Sequence, residues 1–439
     1  MKSFRDPVHN LIVFQDEDQI VIDLINTKEM QRLRRIRQLG LGNIAYPGAE
    51  HSRFVHSLGV AHVMRRFLDT LREGRDPLTN RLQRDLQDHR SLALASALLH
   101  DIGHGPFSHA LESVTHVRHE RFTIGVVLSP HTEVHQVLEA AQTGLSQQVA
   151  SVIERTFEPS RALVKLLSSQ LDMDRVDYLL RDALMTGAGY GTFDVEWLLH
   201  AMRIGEVDGE PEVGLDLKKG QSIAEDYIMC RYYMYLHVYF HRTTRAAEVM
   251  VEKLLQRASE IHAVIPGFHA LNALLEGRLR PDDEASLALY LQLDDGVLWT
   301  AMHMWTEHED PILRDFSQRL LHRKLFRAVD VQSEQEAKKL MKKMEKKAIV
   351  YGVSTDYYAI YDTAASHAYH DPYIAPVGKN AAGMGDDHTH SSVGASESIY
   401  LFDEVGRPHE LADSSFIVSA VRNRSVNAMR VLFPEEWSL

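Results

Sequence analysis

The stretch Leu98-Leu99-His100-Asp101-Ile102-Gly103-His104-Gly105-Pro106-Phe107-Ser108-His109 decides how this chain is read. Ser91 to His100 is nearly all apolar, the pattern of a buried helix, and Gly103, Gly105 and Pro106 then break it and permit a new helix start. Taken alone, a His-Asp pair at such a place serves as a C-terminal cap, the imidazole satisfying the last carbonyls. The surroundings point elsewhere. Three histidines within the run, two glycines that allow close backbone approach, and an apolar helix that holds the pair rigid favour a metal site backed by further histidines.

Such a site needs ligands from other parts of the chain. His56 lies in Arg53-Phe54-Val55-His56-Ser57-Leu58-Gly59, at the start of a predicted helix over 53–72 whose stripe is Phe54, Leu58, Ala61, Met64, Leu68 and Leu71. Asp174 lies in a second predicted helix, over 162–185, where Asp174, Tyr178 and Asp182 stand at i, i+4 and i+8 and so share one face. Without the His-Asp run that face reads equally well as a solvated surface. Two imidazoles and two carboxylates form a borderline-hard set that suits Mn, Fe, Zn or Mg rather than copper.

Around these segments the periodicity predicts a mainly α chain. Phe4 to Phe14 reads as a short strand or hairpin, and 20–38 and 222–258 as further helices. Asp208-Gly209 marks a hairpin within 205–219. Beyond about residue 325 the pattern becomes mixed: a highly charged helix over 334–347, strand-like runs at 350–361 and 398–402, and a Gly/Ser/His/Asp loop over 377–396. The expected division is therefore 1–325, a helical domain with an inserted hairpin, and 326–439, a smaller α/β region.

Composition narrows the function classes. The 439 residues are 44% hydrophobic and 25% charged, an ordinary globular balance. Cys230 is the only cysteine, which excludes an intrachain disulfide and thiolate zinc clusters and suits a reducing, cytoplasmic setting. Met1 to Phe14 lacks the apolar stretch of a signal peptide, and no later run approaches the ~18 apolar residues of a membrane span. A formal charge of −13 disfavours long nucleic acid as a partner, whereas a small phosphorylated substrate can be neutralised locally by a metal and a few arginines.

His56, then His100-Asp101, then Asp174 reproduce the H...HD...D pattern of the HD-domain metal-dependent phosphohydrolases. The segments at 31–40, 46–59, 100–109 and 174–182 resemble, within that group, the deoxynucleoside triphosphate triphosphohydrolases, over roughly residues 2–330. The resemblance implies an HD-domain helical core and a divalent metal on His56, His100, Asp101 and Asp174. It implies hydrolysis of a dNTP to deoxynucleoside and inorganic triphosphate, water attacking the α-phosphorus, with His109 as general acid and His104, Glu112 and His119 in support.

For the substrate it implies Arg53, Arg175 and Arg231 at the phosphates and Gln38 and Leu39 as the sugar-reading pair. Asp182 would meet the 3′-hydroxyl and Tyr239 would close against the 2′ edge, with Tyr178, Tyr235 and His241 in the same pocket. Arg175 stands where vertebrate members have Lys, and Tyr235 where they have His. Lys2, Gln31 and Arg34 fall where those members bind a guanine-nucleotide activator between subunits, which implies a homo-oligomer, a tetramer. Asn26 replaces their Asp and offers both an acceptor and a donor, so an activator other than a guanine nucleotide is expected. Two other readings fit the metal quartet: an HD phosphodiesterase acting on cyclic or single-stranded nucleotides, and a catalytically silent nucleotide-sensing module.

Overall fold

The apolar stripe that begins at Phe54 folds as the helix Arg53–Glu73, and the run before the His-Asp pair as Arg90–Leu99. Phe54, Leu58, Ala61, Met64 and Leu68 are all buried, so the stripe is the core face of its helix. Arg53–Glu73 packs against both Arg90–Leu99 and Met173–Thr186. The computed structural model describes residues 1–73, 80–107, 109–367, 369, 398–422 and 424–437, and among these the chain is mainly helical with three small sheets. The loop read over 377–396 lies outside the described residues.

Three expected helices are interrupted by a cap or a π-helical turn, and one expected strand begins later than its pattern suggests. The 20–38 helix is two short ones, Gln19–Ile25 and Lys28–Arg32, followed by a 3₁₀ turn at Leu33–Arg35. Thr27 is extended and its hydroxyl accepts the Met30 N–H, capping the second helix. The 162–185 helix divides into Arg161–Leu167 and Met173–Thr186, because Asp172 turns extended and caps Arg175 N at 2.8 Å. The 222–258 helix becomes Gln221–Met234, a π-helical turn over Tyr235–Tyr239, and Arg242–Glu260 with His241 as its N-cap. The strand expected from 350 is instead the end of the helix Glu334–Tyr351, closed by Gly352 at φ 66°, and the strand starts at Ile360.

The first hairpin pairs β1, Lys2–Asp6, with β2, Asn10–Phe14. A second pairs β3, Met202–Val207, with β4, Glu210–Asp216, through Asp208 at φ 53° and Gly209 at φ 84°, the two positive angles that a type I′ turn requires. The remaining strands are β5, Phe326–Asp330, β6, Ile360–His367, β7, Tyr400–Phe402, β8, Pro408–Glu410, and β9, Ser425–Pro434. β7 pairs parallel with β4 and β8 pairs with β7, giving the order β3-β4-β7-β8; β5 and β6 flank β9 in an antiparallel sheet. One hydrophobic cluster runs through the molecule from Ile12 to Trp437. No helix among the described residues is long and apolar enough to cross a membrane.

Candidate active site

Three helices converge on one buried point. His100 follows the end of Arg90–Leu99, and its Nδ1 lies 2.9 Å from the Ala97 carbonyl, to which it donates. His56, one turn into Arg53–Glu73, donates from Nδ1 to Asp177 Oδ2 at 2.9 Å. With both Nδ1 atoms committed as donors, Nε2 is the atom each ring turns to the cluster, and both Nε2 atoms are buried without a hydrogen-bond partner. Asp174 Oδ1, in the first turn of Met173–Thr186, stands 3.0 Å from His56 Nε2 and 3.3 Å from His100 Nε2. Asp101 closes the group, 3.5 Å from His100 Nε2 and 3.9 Å from His56 Nε2.

The electrostatics fit a cation. Burial opposes charge on Asp101, yet His104, His100 and Arg53 outweigh it and hold the carboxyl well below its usual range. Burial likewise opposes the His56 imidazolium, but Asp174 and Asp177 lift it to about 10; His100 is raised for the same kind of reason by Asp101 and Asp174. Ionised carboxylates that draw both imidazoles toward their cationic form create a negative potential that a divalent ion would neutralise in place of those protons. The two nitrogens and two carboxylates match a borderline-hard divalent metal, and the His/Asp cluster is able to bind one.

A second group adjoins the first. His104 Nε2 lies 3.4 Å from Asp101 Oδ1, and the His104 ring stacks on His119 with centroids 3.5 Å apart. Glu112 holds His119 from two sides, accepting its Nδ1–H at 2.6 Å and its backbone N–H at 3.0 Å. Burial, then Arg53 and His119, push His104 well below the ordinary imidazole range, while Asp101 pulls the other way. His109 opens the helix His109–Thr115, and its side chain lies outside the described part of the structure.

A chain of rings leads away from the quartet. Tyr178 lies 6.5 Å from the His56 ring and 6.1 Å from Tyr239, which lies 5.0 Å from Tyr235. The Tyr239 hydroxyl donates to Asp182 Oδ2 at 2.8 Å, while His51 Nε2 meets the other oxygen at 2.7 Å. Gln38 joins this end through its N–H to the His51 carbonyl, and its Oε1 is buried with no hydrogen-bond partner. Leu39, beside it, is half-buried against the core. Arg53 donates to Asp101, while Arg175 and Arg231 both reach the 169–172 loop: Arg175 to Ser169 O and Asp172, Arg231 to the Gln170 side chain. His241 departs from expectation. Past the π-helical turn it is no longer on the helix of Arg231; its Nδ1 caps Thr243 N at 3.3 Å and its ring meets Tyr46 edge-on at 5.3 Å.

The HD-domain family model matches residues 53–182, the span that holds His56, His100, Asp101, Asp174 and Asp182. YwfO of Bacillus subtilis (strain 168), an uncharacterised protein, is 37% identical over 441 residues, covering 99% of this chain and 92% of its own length. A phosphohydrolase from Bacteroides thetaiotaomicron VPI-5482 shares the fold at a TM-score of 0.78 and 26% identity, with 98% of this chain and 99% of that one covered. The chain belongs to the HD-domain phosphohydrolases. The deoxynucleoside triphosphate triphosphohydrolase SAMHD1 of Gallus gallus is 26% identical over 289 residues, 59% of this chain and 45% of that relative, so the HD-domain chain spans about half that relative's length.

The residues expected at an activator site gather around the end of Gln19–Ile25 in this HD-domain protein. Lys2 Nζ donates to Asn26 Oδ1 at 2.8 Å, Gln31 Nε2 to the Ile25 carbonyl at 2.7 Å, and Arg34 Nε to Gln31 Oε1 at 2.8 Å, with the Arg34 guanidinium 3.7 Å from the Phe54 ring centroid.

Sequence reasoning passed over several residues that shape the site: His9, His51, Asp177, Arg181 and Asp295. Asp177 follows Asp174 by three residues, which hints at a shared face, but nothing in the spacing announces His9 or His51. Asp295 accepts the backbone N–H groups of Arg37 at 3.0 Å and Phe107 at 3.3 Å, so one carboxylate ties the Gln38 loop to the His-Asp turn. Burial pushes it up to about 6 despite those bonds. In the sequence it is hidden beside Asp294, which looks like, and is, an ordinary helix cap.

Proposed function

We propose that this chain hydrolyses deoxynucleoside triphosphates to deoxynucleoside and inorganic triphosphate. The observation that carries the reading is the continuity of the His/Asp cluster with Tyr178, Tyr239 and the Asp182–His51 pair, which joins a phosphoryl-transfer centre to a wall suited to a sugar. The relatives named deoxynucleoside triphosphate triphosphohydrolase, at 26% identity, support the same substrate class. His56, His100, Asp101 and Asp174 would hold a divalent metal, Mn, Fe, Mg or Zn, which when bound supplies Lewis-acid polarisation of a phosphoryl oxygen and activation of water.

The chain's own groups do the rest. Arg53, Arg175 and Arg231 offer N–H donors to the triphosphate, and Gln38 Oε1, a buried acceptor, awaits a ligand donor. Asp182 would accept the 3′-hydroxyl, with Leu39 and Tyr235 against the nucleoside. Tyr239, kept a neutral phenol by burial and by the Asp182 charge, would occupy the space a 2′-hydroxyl needs. His109 would protonate the departing 5′-oxygen, and Glu112 holds His119 against His104. Lys2, Asn26, Gln31 and Arg34 would take a nucleotide activator at the interface of a homotetramer, Asn26 admitting bases other than guanine.

The experiment is product analysis. Protein incubated with Mn or Mg and each dNTP or NTP in water enriched in heavy oxygen should release labelled triphosphate and unlabelled nucleoside, and dNTPs should outpace NTPs. Primary release of pyrophosphate or single phosphate, or equal rates on ATP and dATP, refutes the reading. Adding each nucleotide in turn to a poor substrate tests the activator arm; strict dependence on GTP would remove the Asn26 argument.

A further inference from the structure

The N-terminal hairpin reaches the metal cluster through one histidine. β1 and β2 pair from Lys2↔Phe14 to Asp6↔Asn10, and Asp6 Oδ1 accepts the backbone N–H groups of Val8 and His9, both at 2.9 Å, so the turn holds its own shape. Asp6 Oδ2 accepts Arg181 Nη1 at 2.7 Å, which docks the turn on Met173–Thr186. The His9 ring is thereby inserted into the core, its side chain 1% exposed, with Nε2 2.7 Å from Asp177 Oδ1.

Asp177 is saturated. Oδ1 takes His9 Nε2 and Arg181 Nη2; Oδ2 takes His56 Nδ1 and Arg181 Nε, the last three at 2.9 Å. An ionised carboxylate only accepts, so His9 Nε2 and His56 Nδ1 both donate to Asp177, which leaves Nε2 as the His56 atom that faces the cluster. Gly59 of Arg53–Glu73 closes the remaining side, since a Cβ there would stand 1.9 Å from Asp177 Oδ1. Arg181 with Asp6 anchors the hairpin, and the His9 bond ties the same turn to a second carboxylate, Asp177. It also holds the Oδ1 corner of the Asp177 carboxylate, at 2.7 Å, beside the Arg181 fork that grips both oxygens.

We propose that His9 is a positioning residue for His56, acting through Asp177: by holding one corner of that carboxylate it sets the direction in which His56 Nε2 points. The proposal rests on reading His56 as a metal ligand. The test is Mn binding to the full chain after chelator treatment, followed by titration calorimetry with thermal melting in parallel. His9→Ala should weaken Mn binding about tenfold, the low end of the roughly 10–100-fold effects of groups bonded to a ligand, because His9 acts at one remove. His9→Phe, which keeps a ring in the core without the donor, should weaken it similarly, and His9→Gln, with an amide N–H, should recover most of the loss.

Leu11→Ala, at an exposed position of the same hairpin, should change nothing. The double variant His9→Ala/Asp177→Asn should bind Mn no worse than Asp177→Asn alone. Wild-type affinity in folded His9→Ala or His9→Phe, or additive losses in the double variant, overturns the role of His9. Wild-type protein that takes up no Mn overturns the ligand reading and this inference with it.

Discussion

The Tyr239 hydroxyl and the His51 ring divide the Asp182 carboxylate between them, one oxygen each, at 2.8 and 2.7 Å. Asp182 is almost fully buried, so each bond satisfies a group that water does not reach. The ring and the hydroxyl of Tyr239 can then be separated by substitution. Tyr239→Phe leaves Asp182 Oδ2 without its donor and should cost about 1–3 kcal/mol of stability, the penalty of an unsatisfied buried acceptor, while on the proposed function the ring alone should keep a preference for dNTP over NTP. Tyr239→Ala should lose both. Chemical denaturation together with paired dATP and ATP rates checks this; a Tyr239→Phe variant as indiscriminate as Tyr239→Ala would mean that the ring is not the barrier.

At the scale of the element, the contact between Arg53–Glu73 and Met173–Thr186 depends on Gly59. Helix propensity alone says that Ala in place of a mid-helix Gly stabilises by about 1 kcal/mol. Packing says the opposite: the added methyl would sit 1.9 Å from Asp177 Oδ1 and 2.5 Å from Arg181 Nη2, and forcing atoms into a packed interior costs roughly 1–3 kcal/mol. Because Asp177 and Arg181 are held on all sides, the packing effect wins, and Gly59→Ala should be less stable and bind Mn more weakly than wild type. Denaturation and metal titration of the same sample decide it; a more stable variant with unchanged uptake would show that the two helices separate at no cost.

Across the whole molecule, the helical body meets the three-stranded sheet through a charged group in which carboxylates outnumber cations. Arg245 on Arg242–Glu260 pairs with Asp362 of β6 at 2.7 Å and with Glu248 at 2.7 Å, and Glu252 lies in the same group. Burial raises Glu252 to about 7; Arg245 opposes this, and Glu248 and Asp362 add to it. A carboxyl whose folded pKa lies above its unfolded value of 4.5 contributes stability below that value and loses it as pH rises through about 7. Glu252→Gln cannot ionise and should therefore match wild type near pH 4.5 and melt higher at pH 8. Equal melting differences at the two pH values would contradict this.

Much of the candidate site is legible in the sequence because its signals are local. The apolar run before His100, the glycines after Asp101, the stripe from Phe54 and the i, i+4, i+8 face from Asp174 each express the geometry of a single helix or turn, set by backbone sterics and the 3.6-residue period. The same locality makes the Asp208-Gly209 hairpin readable, since two residues with positive φ suffice to specify it. The breaks at Thr27, Asp172 and Tyr235–Tyr239 are not readable from periodicity, because a cap or a π-helical turn prevails over propensity only when packing rewards it. His9 on Asp177, His51 on Asp182 and Asp295 across two loops join residues 168, 131 and up to 258 positions apart. Their meaning exists only once the helices pack, when a buried donor with no access to water must take whichever acceptor the tertiary structure sets beside it.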